Sequence, residues 1–241
     1  YMKQNAANLF YSPGPTSPAC GGYKVGLTVH DLMLRDVPGE VSQFKRFYFD
    51  TVIKRLCKRA DVIFTVSEYS KLQISNWLNR SDIVVCPNGV SSDFLNFKTD
   101  QREPNNRYFL YVGNRKKHKN FDGLLKAFSL FANEFDRVGE FKLYVTGYSS
   151  IKHERQIDKL RITNRVKFLG SDLSDFDLAG FYSKAIALII PSFYEGFGMP
   201  ALEAMSVGTP VIAANSTALP EVLDGAGILV DPYDVVSIAD S

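Results

Sequence analysis

Two glutamates stand eight positions apart in the stretch PSFYEGFGMPALEAMSVGTPVI, residues 191–212. Glu195 lies among glycines and aromatic residues, whereas Glu203 lies in a run with the composition of a helix. Taken singly, Glu195 is more simply interpreted as a solvated loop acid, and Glu203 as a residue that caps or pairs within its helix. Taken together, they could accept hydrogen bonds from neighbouring hydroxyl groups, which carboxylates bind well. The pair therefore favours a ligand that carries several hydroxyl groups.

The same stretch also contains a candidate anion site. Pro200 in the first turn and Gly208 just past the end predict a helix over 199–208. The N-terminus of a helix offers unpaired N–H groups and a partial positive charge. The apolar run AIALIIP, 185–191, predicts a buried strand before it, and open α/β sheets bind ligands beyond the carboxyl ends of their strands. An anion site beside two acids indicates a phosphate flanked by polyols, as in a sugar nucleotide.

A basic loop, GNRKKHKN at 113–120, follows another predicted strand. Fixed cations of this kind stabilise a departing diphosphate as negative charge grows on it. Without the acidic stretch, a solvated basic loop is the simpler interpretation.

Short apolar runs alternate with longer amphipathic segments along the chain. Strands are predicted over 23–31, 61–67, 82–89, 107–113, 141–147, 165–170, 185–191, 210–214 and 227–230. Helices are predicted over 41–60, 67–79, 120–135, 153–162, 175–185 and 199–208. This alternation, with strands that are apolar on both faces, predicts a doubly wound parallel α/β architecture.

A polar, proline-containing segment divides the chain. Residues 95–106 are interpreted as a linker between an N-terminal lobe, 1–94, and a C-terminal lobe, 107–241. A surface loop within one sheet is the alternative. The first lobe shows about three strands, fewer than a complete doubly wound lobe, so we expect it to be truncated.

Composition sets the remaining limits. The 241 residues are 45% apolar, and the formal net charge of +2 predicts no nucleic-acid partner. Three cysteines without metal-site spacing favour a reducing compartment, and no apolar run is long enough to span a bilayer, so a cytoplasmic location is expected. The basic amphipathic tract 45–60 would suit peripheral contact at the inner face of a membrane. A helix packed on the sheet with a solvated basic face is the alternative.

The pattern PS-x-x-EGFG-x-P-x-LEAM-x-x-G-x-PVI resembles the E-x7-E signature of retaining glycosyltransferases of family 4, the glycosyl transferases group 1. The resemblance continues through STALPEVLDGAGILVDPYD and reaches upstream to YVGNRKKHKNFDGLLKAF and VIFTVSEYSK. It implies the GT-B fold, in which two Rossmann-like lobes flank a cleft. It also implies transfer of a hexose from a GDP- or UDP-sugar to a glycan or lipid-linked acceptor, as in polysaccharide biosynthesis, with no metal or other cofactor.

The resemblance also assigns residues. Glu195 and His30, the latter at the end of KVGLTVHD, would face the donor sugar as catalytic residues. Lys119 and Arg115 would bind the diphosphate, and Glu203 the ribose hydroxyl groups. Backbone groups complete the set: Phe197, Gly198 and Met199 for the sugar, Ala201 and Leu202 for phosphate, and Gly170, Ser171 and Asp172 for the nucleobase.

Two other functions stay open. A non-catalytic nucleotide-sugar-binding module, or an inactive fragment of such an enzyme, would keep the donor site without transfer. A phosphorylase of similar fold would need a lysine for pyridoxal phosphate, for which the sequence offers no context.

Overall fold

The computed structural model describes residues 8–17, 22–39, 41–98, 107–135 and 140–241. The chain divides into two compact units, Tyr1–Asn88 and Gly89–Ser241. Each unit is built around one sheet in which every strand pair is parallel. The predicted α/β class with two Rossmann-like parts is therefore confirmed.

The first unit has a four-stranded sheet in sequential order, and its first strand lies in the segment 1–22, where the sequence indicates a short strand. The strands are β1 (Leu9–Ser12), β2 (Lys24–Thr28), β3 (Val62–Thr65) and β4 (Ile83–Val85). The helices are α1 (Met33–Asp36), α2 (Gln43–Tyr48), α3 (Lys54–Arg59) and α4 (Glu68–Leu78). Because Ile63 pairs with Leu27 on one side and Ile83 on the other, three buried side chains form a row through the core.

The helix predicted over 41–60 forms as α2, a π-helical turn at Phe49–Ile53 and α3. Phe49, Ile53 and Cys57 recur every four residues and are buried in the core of the first unit. Phe49 also stacks on Trp77 of α4, with ring centroids 5.2 Å apart. Burial raises the pKa of the Cys57 thiol to about 11, as expected for a structural cysteine.

The second unit has a six-stranded sheet of order β10-β9-β8-β5-β6-β7. Its strands are β5 (Tyr108–Tyr111), β6 (Lys142–Val145), β7 (Val166–Phe168), β8 (Ala187–Ile190), β9 (Val211–Ala214) and β10 (Ile228–Val230). The helices are α5 (Ser92–Leu95), α6 (Phe121–Glu134), α7 (Ile151–Lys159), α8 (Asp175–Lys184), α9 (Met199–Ser206), α10 (Leu219–Leu223) and α11 (Val235–Ala239). The strand order reverses between β5 and β8, and ligands bind at such switch points.

Two apolar layers cover this sheet. Leu124, Leu125 and Phe128 of α6 pack on one side, at the three- and four-residue spacing of one helix face. Ala201 and Ala204 of α9 pack on the other side. All four residues of β8 are buried, so the two layers hold the switch-point strand from both faces.

The division between the units falls after Asn88, six residues before the end of the predicted first lobe. The reason is Phe94 of α5, which is buried in the core of the second unit with its ring centroid 6.0 Å from that of Tyr182. Of the predicted linker, residues 99–106 lie outside the described residues. Within the described part of the chain, no helix is both long and apolar enough to cross a membrane.

Candidate functional site

Two loops meet at the switch point of the second sheet. The loop after β8 is bonded directly to the loop after β5, because the Phe193 N–H donates to the carbonyl oxygen of His118 at 2.7 Å. The second loop turns into α6 at Asn120, whose left-handed backbone (φ 53°) is held by a 2.7 Å hydrogen bond from its side-chain amide to the Pro232 carbonyl. The acidic and basic loops predicted from sequence are therefore neighbours.

Lys119 and Glu195 form an ion pair across this junction. Lys119 Nζ lies 2.7 Å from Glu195 Oε1 and 2.9 Å from Oε2. Both side chains are mostly buried, with 17% of the lysine and 10% of the glutamate side chain exposed. The structure thus brings together the predicted diphosphate-binding cation and one of the two predicted catalytic residues.

The position of Glu195 is fixed by residues that the sequence analysis did not assign. Ser192 Oγ donates to Glu195 Oε1 at 2.8 Å, and the Glu195 N–H donates to Thr217 Oγ1 at 2.9 Å. Ser216 Oγ in turn donates to the Ser192 carbonyl at 3.0 Å. Ser216 and Thr217 lie in the STALPEV segment, and Ser192 lies in the PS-x-x-EGFG segment, so the family-like pattern contains all three partners.

The start of α9 requires glycine at Gly198. Its backbone is left-handed (φ 104°), and a Cβ there would lie 2.7 Å from Cδ2 of the fully buried Leu219. The Ala201 N–H already donates to the Gly198 carbonyl at 2.9 Å, so a phosphate at this helix end would share or displace that bond. Phe197 and Met199, on either side of Gly198, are half-buried.

Glu203 has a different environment from Glu195. Its carboxylate accepts a 2.9 Å hydrogen bond from the Tyr182 hydroxyl of α8. Burial raises the pKa of Glu203, with Asp175 adding to the rise and the Tyr182 hydrogen bond opposing it. Glu203, the residue predicted to bind the ribose, is therefore positioned by α8 and α9. Its described hydrogen bond does not involve the loop of Glu195.

Arg115 points towards β6 and β7. Its guanidinium carbon lies 5.2 Å from the ring centroid of Phe121 and 5.1 Å from that of Phe168, and Nη2 donates to the Thr146 carbonyl at 2.6 Å. Burial lowers the pKa of Arg115, and its Nε is buried without a hydrogen-bond partner among the described residues. In this structure Arg115 links the carboxyl ends of three strands, and its contact with a diphosphate stays a prediction.

The predicted nucleobase residues lie at the same edge of the sheet. The Gly147 N–H donates to the Gly170 carbonyl at 2.6 Å, which joins the ends of β6 and β7. Asp172 accepts two hydrogen bonds of 3.2 Å, one from Ser171 Oγ and one from the hydroxyl group of Tyr148. The Tyr148 side chain is exposed. Tyr148 was not predicted, because a single tyrosine after a strand has no distinctive pattern.

His30 belongs to the first unit and follows β2. It is exposed, its Nε2 lies 3.1 Å from the Pro13 carbonyl oxygen, and its own carbonyl accepts a hydrogen bond from Thr65. The histidine therefore stands at the carboxyl edge of the first sheet, where ligands of parallel sheets bind.

The two Rossmann-like units each contain a sheet of parallel strands, and the second has charged loops at its switch point. These features define a protein of the GT-B fold. Residues 93–241 match the family model described as Glycosyl transferases group 1, and residues 4–94 match the model described as Glycosyltransferase Family 4. Because the first match covers more than half of the chain, the chain belongs to the glycosyl transferases group 1.

Several curated relatives are named as mannosyltransferases. The chain is 32% identical over 225 residues to the O-antigen chain mannosyltransferase B of Escherichia coli, covering 88% of this chain and 58% of that protein. It is also 32% identical over 228 residues to the MMP alpha-(1->4)-mannosyltransferase of Mycolicibacterium hassiacum, covering 89% of this chain and 54% of that protein. The chain therefore spans just over half the length of these relatives.

Solved structures support the fold. Sucrose-phosphate synthase from Thermosynechococcus elongatus superposes with a TM-score of 0.78 at 23% identity, covering 100% of this chain and 64% of that one. The Anabaena protein HepE, solved in complex with UDP and glucose, superposes with a TM-score of 0.73 at 21% identity, covering 90% of this chain and 60% of that one. At these identities the likeness concerns the fold alone.

Proposed function

We propose that the chain carries the donor site of a retaining glycosyltransferase that moves a hexose from a GDP- or UDP-sugar to a glycan or lipid-linked acceptor. The observation that carries this proposal is the ion pair of Lys119 and Glu195 at the switch point of the second sheet. A lysine and an acid from adjacent loops match the two ends of such a donor, since one end is a diphosphate and the other is a sugar.

The proposed chemistry follows from the hydrogen-bonding capacity of these groups. An ammonium group has three N–H donors, and the described bonds to Glu195 use two of them. A phosphate oxygen would take the third and draw Lys119 towards the leaving diphosphate as its charge grows. Glu195, held by Ser192, would then accept hydrogen bonds from the sugar hydroxyl groups.

The proposed mechanism needs neither a metal nor a covalent intermediate. The lysine supplies positive charge that a divalent ion supplies in other transferases, and the departing phosphate takes the proton of the acceptor. His30 is proposed to polarise the donor sugar. Transfer is therefore expected to persist in the presence of a chelator.

The relatives favour mannose as the sugar, since the two curated proteins described above are named as mannosyltransferases. Mannose from a nucleotide-diphosphate donor is therefore the first substrate to test. A polysaccharide or lipid-linked glycan is the corresponding acceptor class.

The test is calorimetric titration of GDP-mannose, UDP-glucose and the free nucleotides. We expect Lys119→Ala to weaken binding of the preferred donor at least about tenfold, because a charged hydrogen bond contributes about 1.5–3 kcal/mol. Lys117→Ala is the matched control, since Lys117 is an exposed lysine of the same loop. Equal affinities of the wild type and Lys119→Ala would reject the proposed site.

A second measurement separates an enzyme from a non-catalytic module. Release of free nucleotide diphosphate from the donor, with and without a mannose-terminated glycan, reports transfer or hydrolysis. Tight donor binding without any release would support the module and reject the transferase.

A further inference from the structure

Thr217 has an unusual backbone for a β-branched residue. Its φ of 54° lies in the left-handed region, which is unfavourable for residues that carry a Cβ. Among the described residues, five positions other than glycine have a positive φ: Asn79, Asn120, Arg161, Thr217 and Asp224. Asparagine and aspartate tolerate this region, and Arg161 follows the end of α7, where left-handed residues are common. Thr217 is the only β-branched member of the group, so its strain requires an explanation.

The turn that contains Thr217 does not itself require threonine. The Leu219 N–H donates to the Ser216 carbonyl at 3.3 Å, so Thr217 is the second residue of a tight turn that leads into α10. Ala218 has a φ of -84°, so φ is positive only at the second residue, which is the pattern of a type II′ turn. Glycine is the usual residue at that position, because it has no Cβ. Threonine there lowers stability relative to glycine.

Threonine adds a hydroxyl group that glycine lacks. Thr217 Oγ1 accepts a hydrogen bond from the Glu195 N–H at 2.9 Å, and the Ala218 N–H donates to the Glu195 carbonyl at 3.4 Å. The turn therefore binds both backbone polar groups of the glutamate. Ser216 Oγ also binds the carbonyl of Ser192, whose own hydroxyl donates to the Glu195 carboxylate. With glycine in the turn, the Glu195 N–H would lose its acceptor.

We propose that Thr217 is a positioning residue, which fixes the direction of Glu195 at the expense of a strained turn. The inference rests on the proposed function, in which Glu195 exchanges Lys119 for the hydroxyl groups of the donor sugar. If the backbone of Glu195 is fixed, only its side-chain torsions must be ordered when the sugar binds, so less entropy is lost. Backbone strain often persists in active sites because it orients a functional group.

Three substitutions separate the hydroxyl group from the strain. Thr217→Ser keeps the hydroxyl group, Thr217→Ala removes it but keeps a Cβ, and Thr217→Gly removes both. We expect kcat for transfer from GDP-mannose to a mannose-terminated glycan to fall about tenfold in the alanine and glycine variants, since each lacks one orienting hydrogen bond. Thr217→Ser should stay within about twofold of the wild type. KM for the donor should change less than about threefold in all three, because Lys119 holds the diphosphate.

Stability should follow a different order from kcat. The unfolding equilibrium constant of Thr217→Gly should be about fivefold lower than that of Thr217→Ala, because relief of the positive φ outweighs the additional entropy that glycine loses on folding. Urea denaturation measures this ratio. If Thr217 had only a structural role, kcat would follow stability, and Thr217→Gly would be faster than Thr217→Ala. That result, or equal kcat in all four proteins, would overturn the proposal.

Asp224→Gly is the matched control for the relief of strain. Asp224 ends α10 with a φ of 44°, and its side chain is exposed, so glycine relieves a positive φ at the other end of the same helix. This variant should gain stability and keep the wild-type kcat. If it lost as much activity as Thr217→Gly, the loss would come from a change in α10 and not from the missing hydroxyl group, and the proposal would be wrong.

Hydrogen exchange of the Glu195 amide, followed by NMR, tests the contact without substrate. Exchange should be at least about tenfold faster in Thr217→Ala and Thr217→Gly than in the wild type and Thr217→Ser, because the amide has lost its acceptor. Equal exchange in all four proteins would also overturn the proposal. Absence of transfer by the wild type would instead reject the proposed function, and the exchange rates would still decide whether Thr217 holds Glu195.

Discussion

Glu195 and Glu203 belong to one motif and yet lie in opposite electrostatic environments. Glu195 is buried beside a lysine that donates to both carboxylate oxygens, so its charge is matched within the protein. Glu203 is half-buried beside a neutral tyrosine hydroxyl, so its charge is only partly compensated. Because of this difference, the pKa of Glu203 is raised by burial, and ionisation of that residue disfavours the folded state.

The difference indicates how one motif could bind two chemically distinct parts of a ligand. Glu195, whose charge is matched by Lys119, can exchange its hydrogen bonds to the lysine for hydrogen bonds from sugar hydroxyl groups. Lys119 would then bind a phosphate oxygen instead. A carboxylate with a single neutral donor retains unused acceptor capacity, which the two hydroxyl groups of a ribose could fill. Three substitutions test this contrast.

Lys119→Ala should have the largest effect on stability. It leaves the mostly buried Glu195 without its cation, and removal of one member of a buried pair typically costs about 3–5 kcal/mol. Urea denaturation followed by circular dichroism measures the change. The exposed Lys117→Ala should alter stability by less than about 0.5 kcal/mol.

A double-mutant cycle sharpens this result. Adding Glu195→Gln to Lys119→Ala should restore part of the lost stability, because a neutral amide does not need the cation. If the losses of the two single variants simply added, Lys119 and Glu195 would be energetically independent, and the contrast with Glu203 would fail.

Gly198→Ala should have the next largest effect, since it disrupts the turn that separates the two acids. The new Cβ would meet the fully buried Leu219 in addition to the strain of a left-handed backbone, for a total of about 3 kcal/mol.

Gly208→Ala is the matched control for this substitution. Its backbone is also left-handed (φ 77°), but a Cβ there has no atom within 4 Å among the described residues, so only about 1 kcal/mol is expected. Equal losses of stability in the two variants would show that Leu219 yields to the new methyl group.

Much of the fold was predictable from sequence, because buried parallel strands are short apolar runs with clear ends. Every strand predicted after residue 22 forms within its predicted range, and all six predicted helices are present. Four short helices were missed, since four or five residues are too few to show a helical period: α1, α5, α10 and α11.

The site was predictable residue by residue but not as a set of contacts. Lys119 and Glu195 are 76 positions apart, and only the reversal of strand order between β5 and β8 brings their loops together. The direction of Arg115 was not predictable either. It is set by Phe121 and Phe168, which lie on a helix and a strand that follow it in the chain.

Glu203→Gln should have the smallest effect at low pH and a growing one as the pH rises. Because the pKa of Glu203 is raised in the folded state, that state binds more protons than the unfolded chain between the ordinary glutamate pKa, 4.5, and the raised value. The contribution of this residue to stability therefore falls as the pH rises through that window and stays low above it. Gln keeps an oxygen that can accept the Tyr182 hydrogen bond but has no charge, so the variant should lose this pH dependence and gain stability relative to the wild type at neutral pH.

Urea denaturation in a series of buffers from pH 4 to pH 8 measures the difference, with Glu221→Gln as a control at a glutamate of α10. A difference between Glu203→Gln and the wild type that stayed constant across this range would mean that Glu203 ionises as an ordinary glutamate, and the contrast between the two acids would then rest on Lys119 alone.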